Sequence, residues 1–138
     1  MLNNQSQLNI VRAGSYITYS SLKEIGNRIL EALDGIVIRY DLIHQDMPVV
    51  ENIDALLLTM ILDEVIGGHT LGITDANLKT RDEDEFYNSI FGGKNPKNDV
   101  AVVSTSKLGP EKIASKKDYD LLISRAFKVA MDDLGHSR

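Results

Sequence analysis

The sequence predicts an α/β fold: a mixed, mostly parallel twisted sheet of about five strands, with one antiparallel edge strand and three helices. Three observations lead there. Short β-branched runs alternate with helical-period runs through the first half of the chain, which calls for right-handed crossovers and parallel pairing. Two apolar runs, Phe86–Phe91 and Val100–Val103, stand close together around a turn-rich stretch, which makes one hairpin and so one antiparallel strand. The chain has 138 residues, 43% of them hydrophobic, enough for one core and one domain spanning residues 1–138.

The elements follow in order. Leu8–Ala13 is a buried strand that stops at Gly14. Ser20 or Ser21 opens a helix, with Glu24 at capping-box spacing from Ser21, and Leu22, Ile25, Ile29, Leu30 and Leu33 mark its apolar face up to Asp34-Gly35. Ile36–Ile43 is a second strand, ended by the Asp46-Met47-Pro48 loop. A second helix opens near Asn52, carries Ile53, Leu56, Leu57, Met60, Ile61, Leu62, Val65 and Ile66, and closes at Gly67-Gly68. Thr70–Ile73 is a third strand. An acidic connection, Arg81–Glu85, leads into Phe86–Phe91 as a fourth. The run Gly92-Gly93-Lys94-Asn95-Pro96-Lys97-Asn98 is a hairpin turn by composition, and Val100–Val103 is a fifth strand. The last helix starts near Lys117 or Asp118 and continues to the chain end.

Composition excludes several functions. There are 20 acidic and 15 basic residues, a formal charge of −5, so no net basic face is available for nucleic acid or for an anionic membrane surface. Cysteine is absent, which removes disulfides, thiolate metal sites and a Cys nucleophile together. Met1–Gln7 lacks the apolar segment of a signal peptide, and the longest apolar stretch, Ile53–Ile66, is interrupted by charges. The expectation is a cytoplasmic protein with no membrane association.

Few constellations carry chemistry. Gly67-Gly68 follows a helix and precedes a strand, the wrong order for a phosphate loop, so it is a helix stop. His69 lies downstream of Glu64, but a zinc helix needs histidines one turn apart; position 65 is Val and the glycine pair intervenes. His69 is therefore a loop residue entering a strand, and His44 a surface histidine near a strand end. Thr74, Asp75, Asn77, Ser104 and Thr105 gather at the carboxyl ends of strands, where they suit caps and turns. On the last helix, Tyr119, Leu122, Ile123, Ala126, Phe127, Ala130 and Leu134 share one arc. Asp133 is at its margin, and Asp132 and His136, one turn apart, lie just outside.

The order of these runs resembles the archaemetzincins. Leu71-Gly72-Ile73-Thr74-Asp75 resembles their third-strand motif, Phe86–Phe91 their edge strand, Val100–Leu108 the strand that follows, and Asp132-Asp133-Leu134-Gly135-His136-Ser137 their active-site helix, which reads His-Glu-Leu-Gly-His. The resemblance implies the N-terminal part of a metzincin, with the C-terminal subdomain absent. It also places Asp132 and His136 at zinc-ligand positions and Asp133 at the position of the glutamate that activates water. Catalytic zinc needs three protein ligands, and Asp132 and His136 supply two at most. The expectation is a non-catalytic relative with a degenerate zinc helix: no catalytic residue, no metal and no other cofactor. In that reading it is an interaction or regulatory module. The expected partners are an extended peptide or protein at the edge strand and a second copy of the chain. The alternative is a zinc-dependent peptidase whose site is completed by another subunit or by residues outside this chain.

Overall fold

The structure is a computed structural model and describes residues 7–14, 17–34, 37, 39–45, 51–79, 87–88, 91–95, 97–108 and 115–135. The elements are β1 (Gln7–Ala13), α1 (Tyr19–Ala32), β2 (Arg39–Gln45), β3 (Asn52–Asp54), α2 (Ala55–Val65), β4 (Thr70–Thr74), β5 (Asn77–Lys79), β6 (Tyr87–Asn88), β7 (Gly92–Asn95), β8 (Val100–Ser104) and α3 (Lys116–Gly135). The main sheet has the order β2-β1-β4-β8-β7-β6. Its first four strands are parallel, and β7 runs antiparallel to β8 and to the two-residue β6. A separate parallel pair joins β3 to β5. The predicted class therefore holds, with six strands in the sheet where about five were expected.

Strand alternation splits the core in two. Leu8 and Ile10 of β1, Leu71 and Ile73 of β4, and Ala101 and Val103 of β8 face α1 and α3. Val11, Ala13, Val100 and Val102 face the other way, toward α2. The period of two along each strand fixes this division, because a one-residue slip would swap every side chain between the layers.

Four local readings are corrected. The antiparallel strand beside β8 is Gly92–Asn95, the stretch whose composition reads as a hairpin turn, and all four residues are buried. Of Phe86–Phe91, only Tyr87–Asn88 is a described strand, while Phe91 is an exposed bend and positions 86, 89 and 90 lie outside the described residues. The glycines mislead because they serve close packing here. A Cβ on Gly92 would overlap the Val102 carbonyl and a carboxylate oxygen of Asp133. The turn itself spans residues 97–99, with Asp99 at φ +59°, a left-handed conformation that aspartate tolerates better than most residues.

The second helix begins at Ala55 and not near Asn52, because Asn52–Asp54 pairs with Asn77–Lys79. The Asp54 carboxylate caps α2 by accepting from the amides of Leu56 (2.9 Å) and Leu57 (3.2 Å). Thr18, and not Ser20 or Ser21, caps α1: its Oγ1 accepts from the Ser21 amide at 3.2 Å. The Asp46-Met47-Pro48 loop falls outside the described residues. Gly67 and Gly68, both at φ +74°, end α2 as expected. No helix among the described residues is long and apolar enough to cross a membrane.

Candidate functional site

The apolar arc of α3 packs on the sheet as its period requires. Ile123, Ala126, Ala130 and Leu134 are buried, and Tyr119, Leu122 and Phe127 pack around them. The two adjacent aspartates part company at the end of this helix. Asp132 is exposed to solvent. Asp133, placed by its spacing only at the margin of the arc, is 1% exposed and turned into the protein. His136 lies outside the described residues.

Strand β7 makes the pocket that receives Asp133. Gly92 has no side chain, so the carboxyl group lies against its backbone beside Val129. Oδ2 has no hydrogen-bond partner. Burial, and next the charge of Asp132, push the Asp133 pKa from 3.8 up to about 8; a hydrogen bond from the Gly93 backbone and the Lys94 ammonium pull the other way. The balance favours the protonated acid. Alanine at position 92 would press on both Asp133 and the Val102 carbonyl. We expect Gly92→Ala to cost about 2 kcal/mol in urea denaturation, the usual scale for an overpacked core.

Lys94 is the residue that sequence reasoning missed. A lysine inside a Gly-Gly-Lys-Asn-Pro run reads as solvated, yet its side chain is 1% exposed. It lies two residues from Gly92 on the same strand and therefore on the same face. Its Nζ donates to Asp99 Oδ1 at 2.7 Å. On the opposite face, Asn95 Nδ2 donates to the Thr59 hydroxyl of α2 at 3.2 Å, so β7 is held by polar contacts on both sides.

The other candidates fall elsewhere. His69 is a loop residue before β4, as expected, but it is buried. His44 is exposed on β2, where its Nδ1 accepts from Arg12 Nε at 3.3 Å and its ring meets Tyr19 edge-on at 6.4 Å. The polar residues at the carboxyl ends of β4 and β8 bond to one another: Thr105 N–H to the Thr74 carbonyl (2.9 Å), Ala76 N–H to Thr74 Oγ1 (3.2 Å), and Ser104 Oγ to the Ala76 carbonyl.

Solved structures share this arrangement of sheet and helices. An archaemetzincin from Methanopyrus kandleri superposes with a TM-score of 0.73 at 22% identity, covering 97% of this chain and 73% of that one. The fold is that of the archaemetzincins. A second archaemetzincin, from Archaeoglobus fulgidus and solved with malonate, gives a TM-score of 0.64 at 16% identity over 95% of this chain and 77% of that one. A zinc-dependent peptidase from Methanocorpusculum labreanum gives 0.64 at 19% identity over 94% of this chain and 80% of that one. No protein-family model matches the chain, and no curated protein matches its sequence.

One of these neighbours is a zinc-dependent peptidase, and the residues described at the end of α3 do not fit a zinc ion. No group of three His, Cys, Asp or Glu side chains among them is placed to hold an ion. Asp132 projects into solvent, and Asp133 is turned against a glycine backbone. The Lys94 ammonium acts on the same carboxyl group, which disfavours a second cation there.

Proposed function

We propose that this chain is a non-catalytic, archaemetzincin-like interaction module, with a degenerate zinc helix at the end of α3. The observation that carries the reading is the state of Asp133. In the family it resembles, the corresponding glutamate must reach and deprotonate a water. Asp133 is buried against the Gly92 backbone of β7, so it does not reach solvent, and burial favours its protonated form over the carboxylate that a base requires. Asp132, at the position of the first zinc histidine, faces solvent from the last turns of the helix.

The interaction role follows from the antiparallel side of the sheet. It ends in the two-residue β6, and no described strand lies beyond it. An extended peptide or protein segment adds there by backbone hydrogen bonding, with no chemistry required. The edge strand of the original expectation is thus replaced by the β7–β6 pair. This reading includes no metal because the donor groups among the described residues do not fit one.

Cleavage of a mixed peptide library, followed by mass spectrometry, tests the proposal. No products are expected at any zinc concentration, while a peptide that binds shifts the amide NMR signals of β6 and β7. Cleavage that EDTA abolishes and added zinc restores would overturn it, in favour of a peptidase completed by another subunit or by residues outside this chain.

A further inference from the structure

Loop 67–69 and turn 97–99 meet at the amino ends of β1, β4 and β8. The Thr70 amide donates to the Asp99 carbonyl at 3.3 Å, and the Asn9 amide to the His69 carbonyl at 2.9 Å. Asn9 Nδ2 donates to the Gly67 carbonyl at 3.3 Å. Within this junction His69 is 7% exposed, and its Nδ1 has no hydrogen-bond partner. Asn98 Oδ1, in the facing turn, has none either.

Among the described residues, the charges that act on His69 are Asp99, in the turn after β7, and Lys94, on β7 itself. The flanking Asn9 and Thr70 are uncharged. Asp99 already holds the Lys94 ammonium at 2.7 Å. An imidazole that gains a proton here sets two cations against one carboxylate. The two ends of the ion pair are not equally free to respond. The Asp99 side chain is 36% exposed in a turn, and that of Lys94 is 1% exposed under α3.

We propose that His69 is an acid-sensitive latch on β7: its protonation draws the Asp99 carboxylate away from Lys94, and the stranded ammonium loosens β7 from α3. Burial, the largest influence on His69, lowers its pKa from the ordinary 6.5, with Asp99 opposing and Lys94 assisting. The unfolded or opened form then takes up the proton more readily than the closed form. The closed form is stable above that range and weakens as pH falls below it. This reading goes beyond the interaction role and does not depend on it.

NMR of the complete chain between pH 7 and pH 5 tests the latch. His69→Gln supplies a side chain that does not titrate, and His44→Gln and His136→Gln assign the three imidazoles. Amide protection at Gly93, Lys94 and Asn95, corrected for intrinsic exchange, is expected to fall by up to about tenfold per pH unit below 6.5, where the open form binds a proton that the closed form does not, and to level off once His69 of the closed form is protonated. Leu71 and Ile73 in the parallel core keep their protection, and His69→Gln removes the β7 response. Unchanged β7 protection while His69 titrates, or the same loss in His69→Gln, would overturn the proposal. Should His69→Gln fail to fold, the wild-type comparison of His69 titration with β7 protection decides it.

Discussion

Asp133→Asn is expected to make the protein more stable at neutral and alkaline pH, and to do so increasingly as pH rises from 4 to 8. The folded-state pKa of Asp133 is about 8, against 3.8 for the free side chain. Between these values the unfolded chain releases the proton and the folded chain keeps it. Folding therefore binds a proton, and stability falls as pH rises through that window. Each pH unit is worth 1.36 kcal/mol, so the wild-type acid costs on the order of 5 kcal/mol by pH 8, with no penalty below about pH 4. Asparagine has nearly the same shape and never ionises. Urea denaturation of both proteins at pH 4, 6 and 8 checks this. The difference between them is expected to be near zero at pH 4 and several kcal/mol at pH 8. A constant difference, or a less stable variant at pH 8, would mean that Asp133 is ionised in the folded protein.

The second large effect concerns the Lys94–Asp99 pair, and it is asymmetric. Asp99→Asn keeps the left-handed turn residue tolerable but leaves a buried ammonium without its carboxylate. A loss of about 3 kcal/mol is expected, as for other buried pairs broken at one end. Lys94→Met removes the buried charge while keeping most of the volume. The carboxylate left behind is partly exposed and is solvated by water, so a change within about 1 kcal/mol of zero is expected. Equal losses in the two variants would show that the pair acts through packing and not through charge.

How far the sequence reveals this molecule depends on where the signal lies. β1, α1, α2, β4, β8 and α3 were legible because each pairs an apolar period with a clear boundary: Gly14 after β1, Gly67-Gly68 after α2, the seven-residue arc on α3. The hidden parts lack such a signal. β7 has two glycines, a lysine and an asparagine, a composition that local rules assign to a turn. It becomes a strand because α2 and α3 cover both its faces and Gly92 lets Asp133 approach. The β3–β5 pair is three residues long on each side, too short to show a period. The buried ionisable groups were invisible for a further reason. Lys94 is buried through Asp99, five residues away, and Asp133 through β7, about 40 residues away, and neither pairing has a local signature. The sequence pointed to Asp132, Asp133 and His136 at the end of α3, and of these Asp132 and Asp133 are among the described residues. The burial of Asp133 was not legible, since helical spacing put it only at the margin.

The central claim is that the end of α3 does not hold zinc in this protein. Metal analysis of the chain, purified without chelator and dialysed against micromolar zinc, tests it most directly. The account predicts zinc far below one ion per chain, unchanged by Asp132→Ala. One firmly held zinc per chain, lost in Asp132→Ala or His136→Ala, would contradict it.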